Sequence, residues 1–246
     1  TRAQILDDLA HWAQSEQPSH RVYVLYGQAG MGKSSIAHAL CQRLGSAYLG
    51  ASFFFIRGQF NDPRSLFPSL AYQLAHSRPD LRPLIINAVK DYCRSGQSQR
   101  LKHQIEELLK HPLRAGSMKP GSLVLFVVDG IDECMNGPDD MVPQMLQLLC
   151  ELASEISSIR VLLATRPETY ILDALRTSSQ SSTVQWRDLQ KETGVDDDIR
   201  LFIKTDLEKA GKAGGFQVLV DHPNAIEELT RLSGGLFVWA NTAIRF

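Results

Sequence analysis

The segment that most constrains the fold is a glycine-rich turn between an apolar run and a stretch with helical spacing. The apolar run covers residues 22–26, glycines occupy positions 27, 30 and 32, and residues 36–40 continue as a helix. Glycine permits backbone angles that other residues avoid, so successive N–H groups can point at one anion while the helix N-terminus adds its dipole. The segment therefore predicts a strand, an anion-binding turn and a helix.

The turn also has the pattern Gly-x-x-x-x-Gly-Lys-Ser, the phosphate-binding P-loop or Walker A motif. Lys33 supplies a positive charge for the β- and γ-phosphates, and the Ser34 hydroxyl is placed to ligate Mg²⁺. Ser35 is expected to reach the α-phosphate. The strand before the motif and the helix after it argue against a chance match. The predicted phosphate-binding residues are Gly27, Gln28, Ala29, Gly30, Met31, Gly32, Lys33, Ser34 and Ser35.

Strand-like apolar runs alternate with helical patterns over most of the chain. The runs show no polar alternation, which is typical of parallel strands covered on both faces. We therefore predict an α/β fold: a P-loop NTPase parallel five-stranded sheet covered by helices on both faces. Strands are predicted at residues 22–26, 51–56, 123–128, 161–165 and 183–186, and helices at residues 4–14, 33–44, 62–74, 79–89, 99–110 and 142–152.

The pattern changes near residue 188, after which no further strand run appears. Helices are predicted at residues 196–210 and 223–232, separated by a turn-rich break at 211–215. We predict two domains, a P-loop NTPase domain at 1–187 and a small all-helical domain at 188–246.

Asp129 ends the most apolar run of the chain. In an open α/β sheet, ligands bind outside the carboxyl ends of the strands. An unpaired carboxylate is costly to bury there unless it meets a cation. We interpret Asp129 as the Walker B aspartate that binds Mg²⁺ together with Ser34. The alternative is a carboxylate that only caps the following turn.

Two further acids follow Asp129. Gly130 stands where many P-loop ATPases carry a catalytic glutamate, so that role is expected to fall to Asp132 or Glu133. Asp132 is slightly preferred, although the sequence does not separate the two.

Two arginines follow other strands. Arg166 is expected to sense the γ-phosphate and, with Lys33, to neutralise charge during hydrolysis. Its alternative role is a structural ion pair with Glu168 or Asp132. Arg57, after the second strand, is equally consistent with a surface or loop-fixing ion pair.

Composition limits the partners and the compartment. Lys plus Arg (26) nearly balances Asp plus Glu (27), so no nucleic-acid partner is expected. The four cysteines have no metal-ligand spacing, which indicates reduced thiols, and Cys134 has no histidine near it in sequence to activate it as a nucleophile. No apolar run approaches the roughly 20 residues that span a bilayer, and no signal peptide is recognised. We expect a cytoplasmic chain cut from a longer polypeptide.

Six segments together resemble the NACHT domain of the STAND class of P-loop NTPases, and most of all that of fungal NOD-like receptors. The small residue after Asp129, followed by two more acids, separates this family from most other P-loop ATPases. The segments are Tyr26 to Ser35, Ser52-Phe53-Phe54-Phe55, Leu66 to Leu74, Val128 to Cys134, Ala164 to Glu168 and Gly235 to Ala240.

The resemblance implies a signalling switch that binds ATP/ADP or GTP/GDP with Mg²⁺ and hydrolyses the triphosphate slowly. In family members this domain lies between an N-terminal effector and a C-terminal repeat sensor, and the protein oligomerises in the triphosphate state. Such proteins are innate-immune or heterokaryon-incompatibility receptors. The resemblance also makes Arg2 a candidate for nucleotide contact. The alternative is a constitutive turnover ATPase of AAA+-like type.

Overall fold

Five strands form one parallel sheet in the order β2-β3-β4-β1-β5. The computed structural model describes residues 2–94, 100–116, 122–134, 140–214 and 222–245, with only the backbone described at 210–214. The strands are β1 Val22–Tyr26, β2 Leu49–Phe54, β3 Val124–Asp129, β4 Ile159–Thr165 and β5 Val184–Asp188.

Helices cover both faces of the sheet, as the sequence predicts. One face packs against α1 and α2, and the other against the helices that follow β2 and β3. The helices are α1 Ala3–Gln14, α2 Lys33–Tyr48, α3 Leu66–Ser77, α4 Arg82–Arg94, α5 Leu101–Ile105, α6 His111–Ala115, α7 Met141–Glu155, α8 Thr169–Thr177, α9 Val195–Gly214, α10 Ala225–Ser233 and α11 Phe237–Arg245.

β3 shows why its sequence is apolar throughout. All six of its residues are buried. Phe126 and Val128 pack into the core on one face, while Leu125 and Val127 pack into the core on the other. A strand covered on both faces loses the polar alternation of a half-exposed strand.

The five predicted strands occur in the structure; β1 has the predicted ends, and the other four have shifted ends. The largest error is in the second strand, predicted at 51–56, because β2 runs from Leu49 to Phe54. Ile56 instead forms an isolated antiparallel bridge with Phe60. The chain turns there because Gly58 has a φ of +78°, a conformation that favours glycine.

Two helix predictions need correction. The helix predicted at 99–110 starts at Leu101, passes through a π-helical turn at Glu106–Lys110 and continues as α6, while residue 99 lies outside the described residues. Pro112 has no N–H, so it cannot continue regular α-helical bonding there. The break predicted at 211–215 is wrong for 211–214, because α9 continues to Gly214, and residue 215 lies outside the described residues. A glycine costs a helix only about 1 kcal/mol, which this helix tolerates.

The helices α9, α10 and α11 have a small core of their own around Ile199, Ile203 and Ala240. We refer to α9–α11 as the helical unit. The domain boundary at 187/188 stays a prediction, with β5 ending at Asp188.

Candidate functional site

The P-loop connects β1 to α2 at the carboxyl edge of the sheet. Gly30 and Gly32 have φ values of +80° and +88°, which other residues rarely adopt. A Cβ atom at Gly30 would lie 2.2 Å from Cγ1 of Val238 in the helical unit. Glycine at this position therefore allows both the turn and the close approach of α11.

Lys33 is buried at the start of α2, with 8% of its surface exposed. Its ammonium donates hydrogen bonds to the carbonyl oxygens of Gly27 at 2.8 Å and Gln28 at 2.9 Å. Burial lowers the pKa of Lys33, while the charges of Asp132 and Asp129 oppose that shift. An ammonium has three N–H donors, so one is left for an oxygen of a ligand.

Asp129, at the end of β3, is 4% exposed. Burial raises the pKa of Asp129, whereas a hydrogen bond from the Ser34 hydroxyl and the charge of Lys33 oppose that effect. The two predicted Mg²⁺ ligands therefore lie close together. A hydroxyl and a carboxylate suit Mg²⁺, which usually takes few protein ligands and completes its shell with water and phosphate oxygens.

Asp132 and Arg166 form an ion pair at the ends of β3 and β4. One carboxylate oxygen of Asp132 accepts the backbone N–H of Arg166 at 2.9 Å, and the other lies 2.9 Å from its Nε in the ion pair. The Asp132 side chain is 6% exposed and that of Arg166 is 44% exposed. The ion pair with Asp132 is thus present, and Arg166 also lines the cavity beside the P-loop.

Glu133 and Arg57 meet through the backbone. The Oε2 atom of Glu133 accepts the N–H of Arg57 at 3.1 Å. Arg57 therefore contributes its main chain to the surroundings of the site.

Arg2 lies between the P-loop and the helical unit and is 6% exposed. Its backbone N–H donates to Asp198 at 2.9 Å and its Nη2 donates to the carbonyl of Met31 at 3.3 Å. The guanidinium carbon lies 5.2 Å from the ring centre of Phe237. Its buried Nε has no hydrogen-bond partner among the described residues.

These groups surround one cavity of about 640 Å³. Eight lining residues were missed by the site prediction, and four of them come from the helical unit: Phe202, Phe237, Val238 and Asn241. The signal in the sequence was the apolar run after Gly234-Gly235, but nothing in that run indicated that it folds back onto the P-loop. The predicted residues on the wall are Arg2, Ala29, Gly30, Gly32, Lys33, Ser34, Ser35, Asp129, Asp132, Glu133 and Arg166.

Three predicted phosphate-binding residues do not line the cavity. Gly27 and Gln28 face Lys33 through their carbonyl oxygens, and Met31 is buried with its carbonyl turned to Arg2.

No cluster of three or more His, Cys, Asp or Glu side chains suitable for a metal occurs within the described ranges. None of the four cysteines, all of which lie in the described ranges, forms a disulfide bond. Burial raises the pKa of Cys41 to about 11 and that of Cys150 to about 12, so these two thiols stay protonated at neutral pH. Among the described helices, none is long and apolar enough to cross a membrane.

The sheet order, the P-loop after β1 and the acid at the end of β3 define a P-loop NTPase fold. Two solved structures share it over nearly the whole chain. The Walker-type ATPase PABY2304 of Pyrococcus abyssi matches with a TM-score of 0.58 and 13% identity, over 98% of this chain and 65% of that one. A chain in a structure of Drosophila ORC bound to DNA matches with a TM-score of 0.55 and 12% identity, over 99% of this chain and 54% of that one.

The chain belongs to the family described as Nephrocystin 3, N-terminal, whose sequence pattern matches residues 1–166. No curated protein sequence matches it significantly. Cdc6p from Pyrobaculum aerophilum matches with a TM-score of 0.49 and 18% identity, over 82% of this chain and 48% of that one. The chain thus spans between about half and two thirds of the solved chains to which it is similar.

Proposed function

We propose that this chain is the nucleotide-binding module of a signalling switch, which binds ATP/ADP or GTP/GDP and hydrolyses the triphosphate slowly. The observation that carries the proposal is the convergence of Lys33, Ser34, Asp129 and Arg166 on one cavity beside the P-loop turn. Three distant parts of the sequence supply these groups, and their chemistry is that of polyphosphate binding.

Mg²⁺ suits the pair formed by Ser34 and Asp129. The buried Asp129 carboxylate has its pKa raised by desolvation, so a cation there would relieve a cost that the chain otherwise bears. When bound, Mg²⁺ would neutralise charge on the β- and γ-phosphates. Lys33 would contribute its third N–H, and the guanidinium of Arg166 would face the γ-phosphate.

Arg2 is proposed to contact the nucleotide outside the phosphates. Arg2 lines the same cavity, its guanidinium lies near Phe237, and its buried Nε has no hydrogen-bond partner among the described residues. The described groups at this end of the cavity do not choose between adenine and guanine.

The switch part of the proposal rests on the contact between α11 and the P-loop. The backbone N–H of Val238 donates to the carbonyl of Gly30 at 3.2 Å. A ligand that occupies the cavity therefore touches both the P-loop NTPase domain predicted at 1–187, here called the sheet domain, and the helical unit. A conformational change requires contacts that differ between two states, and this shared wall can supply them. In a full-length protein we propose that this module lies between an N-terminal effector domain and a C-terminal repeat sensor domain. We propose that the protein self-associates in the triphosphate state and that nucleic acid is not a partner.

Nucleotide binding is tested by calorimetric titration of wild type and Lys33→Ala with Mg·ADP. We expect Lys33→Ala to abolish measurable binding, because it removes the only P-loop side chain that carries a positive charge. Lys102→Ala, which removes an exposed lysine on α5, is the matched control and should bind as wild type does. Equal affinity of Lys33→Ala and wild type would refute the assignment of this loop.

A turnover ATPase of AAA+-like type is the second candidate, favoured by the fold shared with a Walker-type ATPase. The multiple-turnover rate and the mass of the particle, measured with ADP and with a non-hydrolysable triphosphate, separate the two. The switch predicts turnover below about one per second and a larger particle with the triphosphate. Faster turnover with no change in mass would favour the enzyme.

A further inference from the structure

We propose that the groove between α3 and α4 is a docking site for an amphipathic helix of a partner protein, in which acidic residues flank the apolar face. The groove has a volume of about 700 Å³ and shares no lining residue with the nucleotide cavity. The inference goes beyond the proposed function, because it assigns an interaction surface that the nucleotide-binding residues do not form.

Two successive helices, joined by the turn at residues 78–81, line most of the groove. Each helix presents a stripe of side chains to it. The stripes include Tyr72 and His76 on α3 and Arg82, Ile86, Val89 and Cys93 on α4. Spacings of three or four residues place side chains on one face of a helix. From Arg82 to Cys93 the stripe is about 16 Å long, which is the length of three helical turns.

Large apolar side chains of the groove remain exposed. Tyr72 is 68% exposed, Ile86 44% and Val89 39%, whereas Ile85 and Leu108, which also line the groove, are buried. Single exposed apolar residues are ordinary on protein surfaces, but several that line one groove indicate a surface for binding.

The charge of the groove is positive. Arg82 and Lys90 line it, and neither forms an ion pair with an acid of the described chain. The Nε of Arg82 donates to the carbonyl of Ala75 at 2.8 Å, so its charge has a fixed position but no carboxylate. α3 contains no acid, and the single acid of α4, Asp91, pairs with Arg94 and does not line the groove. Carboxylates beside the apolar face of a partner would complement these cations.

A helix suits this shape better than a compact ligand does. Small-molecule pockets bury most of their ligand, whereas this groove leaves most of Tyr72 exposed. Two neighbouring helices with such stripes provide ridges between which a third helix can pack. Recognition of a helix in a groove uses anchors three or four residues apart, which matches the spacing of Ile86, Val89 and Cys93.

The partner is a different molecule from this chain. Within the described ranges, the acidic helices of the chain are α9 and α10, and their apolar faces are already covered, because Ile203 and Leu229 pack in the core of the helical unit. Among their described side chains, each helix exposes one large apolar group, Leu201 or Leu232. One anchor does not make the stripe that the groove requires.

The charge of the site is tested with a displayed library of peptides of about 18 residues, long enough to form a helix. The peptides carry leucines at helical spacing, and their flanking positions are randomised among Glu, Lys and Ser. Selection on the wild-type chain should recover binders enriched in Glu. Lys90→Glu should weaken the best binder about tenfold, and replacing the flanking Glu residues of that binder by Lys should restore its affinity for this variant. Lys102→Glu, which reverses an exposed lysine outside the groove, is the matched control and should bind as wild type does.

The apolar part of the site is tested by comparing Ile86→Ser with Leu201→Ser. Both changes remove an exposed aliphatic side chain, but only Ile86 lines the groove. We expect Ile86→Ser to weaken the selected peptide about tenfold and Leu201→Ser to leave its affinity unchanged. All four variants should keep the Kd for Mg·ADP within about twofold of wild type, which shows that they fold.

Failure to recover a binder, binders enriched in Lys, or binding that survives in both Lys90→Glu and Ile86→Ser would overturn the inference. Dimerisation of the wild-type chain that either variant abolishes would assign the groove to a second copy. Binding of dodecanoate without any peptide binder would assign it to an amphiphile, and each of these two results would also overturn the inference. A wild type that binds the selected peptide but not Mg·ADP would overturn the proposed function alone.

Discussion

At the scale of single residues, Asp129 combines a stability cost with a proposed ligand role. Its carboxylate ends a fully buried strand, and burial raises its pKa in spite of the hydrogen bond from Ser34 and the charge of Lys33. The folded chain therefore holds a proton on Asp129 more readily than the unfolded chain does. Residues with such shifted pKa values often lie at functional sites.

Asp129→Asn should raise the midpoint of thermal unfolding of the nucleotide-free chain at pH 7. Asp129 contributes stability that is fully present below its unfolded pKa, near pH 4, and is lost as pH rises through the raised folded pKa. The uncharged amide has no such loss, so the advantage of the variant should grow with pH across that window. The same variant should lose Mg²⁺-dependent nucleotide binding. A variant that unfolds at a lower temperature than wild type at every pH would contradict this reading.

The sequence predicted the residue types of the site well and their pairing only in part. Lys33, Ser34 and Asp129 could be placed together because parallel strands end at one edge of the sheet. Whether Arg166 would pair with Asp132 or with Glu168 depends on side-chain directions at two adjacent strand ends, which spacing in the sequence does not give. The role of the Arg57 main chain was missed for a related reason, because every residue except proline has an N–H and no pattern marks this one.

At the scale of elements, the close approach of α11 to the P-loop is the main feature that periodicity did not reveal. Residues 236–240 were recognisable as apolar, but an apolar run does not state which surface it covers. In the structure, the N-terminal turn of α11 packs on Gly30 and Phe237 reaches the guanidinium of Arg2. The helical unit therefore completes the cavity.

Gly30→Ala tests this contact against a matched control. The new Cβ would meet Val238 at a φ of +80°, whereas Gly194→Ala would meet no atom within 4 Å at a φ of +76°. Both variants bear the cost of left-handed backbone, about 1 kcal/mol, so an additional loss in Gly30→Ala reports the clash with α11. We expect Gly30→Ala to unfold at a lower temperature than Gly194→Ala. Equal midpoints would show that α11 does not press on the P-loop.

Phe237→Ala tests whether the helical unit contributes to binding. The change removes an aromatic wall of the cavity and the ring beside Arg2, and we expect about tenfold weaker affinity for Mg·ADP by calorimetry. Leu232→Ala is the control, because Leu232 is 48% exposed in the same unit and does not line the cavity. Equal affinity of the two variants would mean that the nucleotide is bound by the sheet domain alone.

At the scale of the whole molecule, the alternation of strands and helices was sufficient to predict a parallel sheet with helices on both faces, and the structure confirms this prediction. The ends of elements were less predictable, because the positive φ of Gly58 ends one pairing early while Gly211 does not stop α9. The relation between the sheet domain and the helical unit was not predictable, since it depends on contacts between residues about 200 positions apart, such as Arg2 and Asp198.

Nucleotide should stabilise the whole chain through this shared cavity. A ligand at 100 times its Kd adds about 2.7 kcal/mol to the free energy of unfolding. For a chain of this size, that corresponds to a rise of roughly 5–10 °C in Tm. Mg·ADP should produce this shift in wild type and none in Lys33→Ala, as measured by scanning calorimetry. A similar shift in both would place the nucleotide elsewhere.

The most direct measurement is a crystal structure of the chain with Mn²⁺ and a non-hydrolysable triphosphate, in which the anomalous signal locates the metal. We predict one strong peak within coordination distance of the Ser34 hydroxyl, bridged to Asp129 directly or through water, with the γ-phosphate between Lys33 and Arg166. A triphosphate bound away from these residues, or a metal that contacts neither Ser34 nor Asp129, would contradict it.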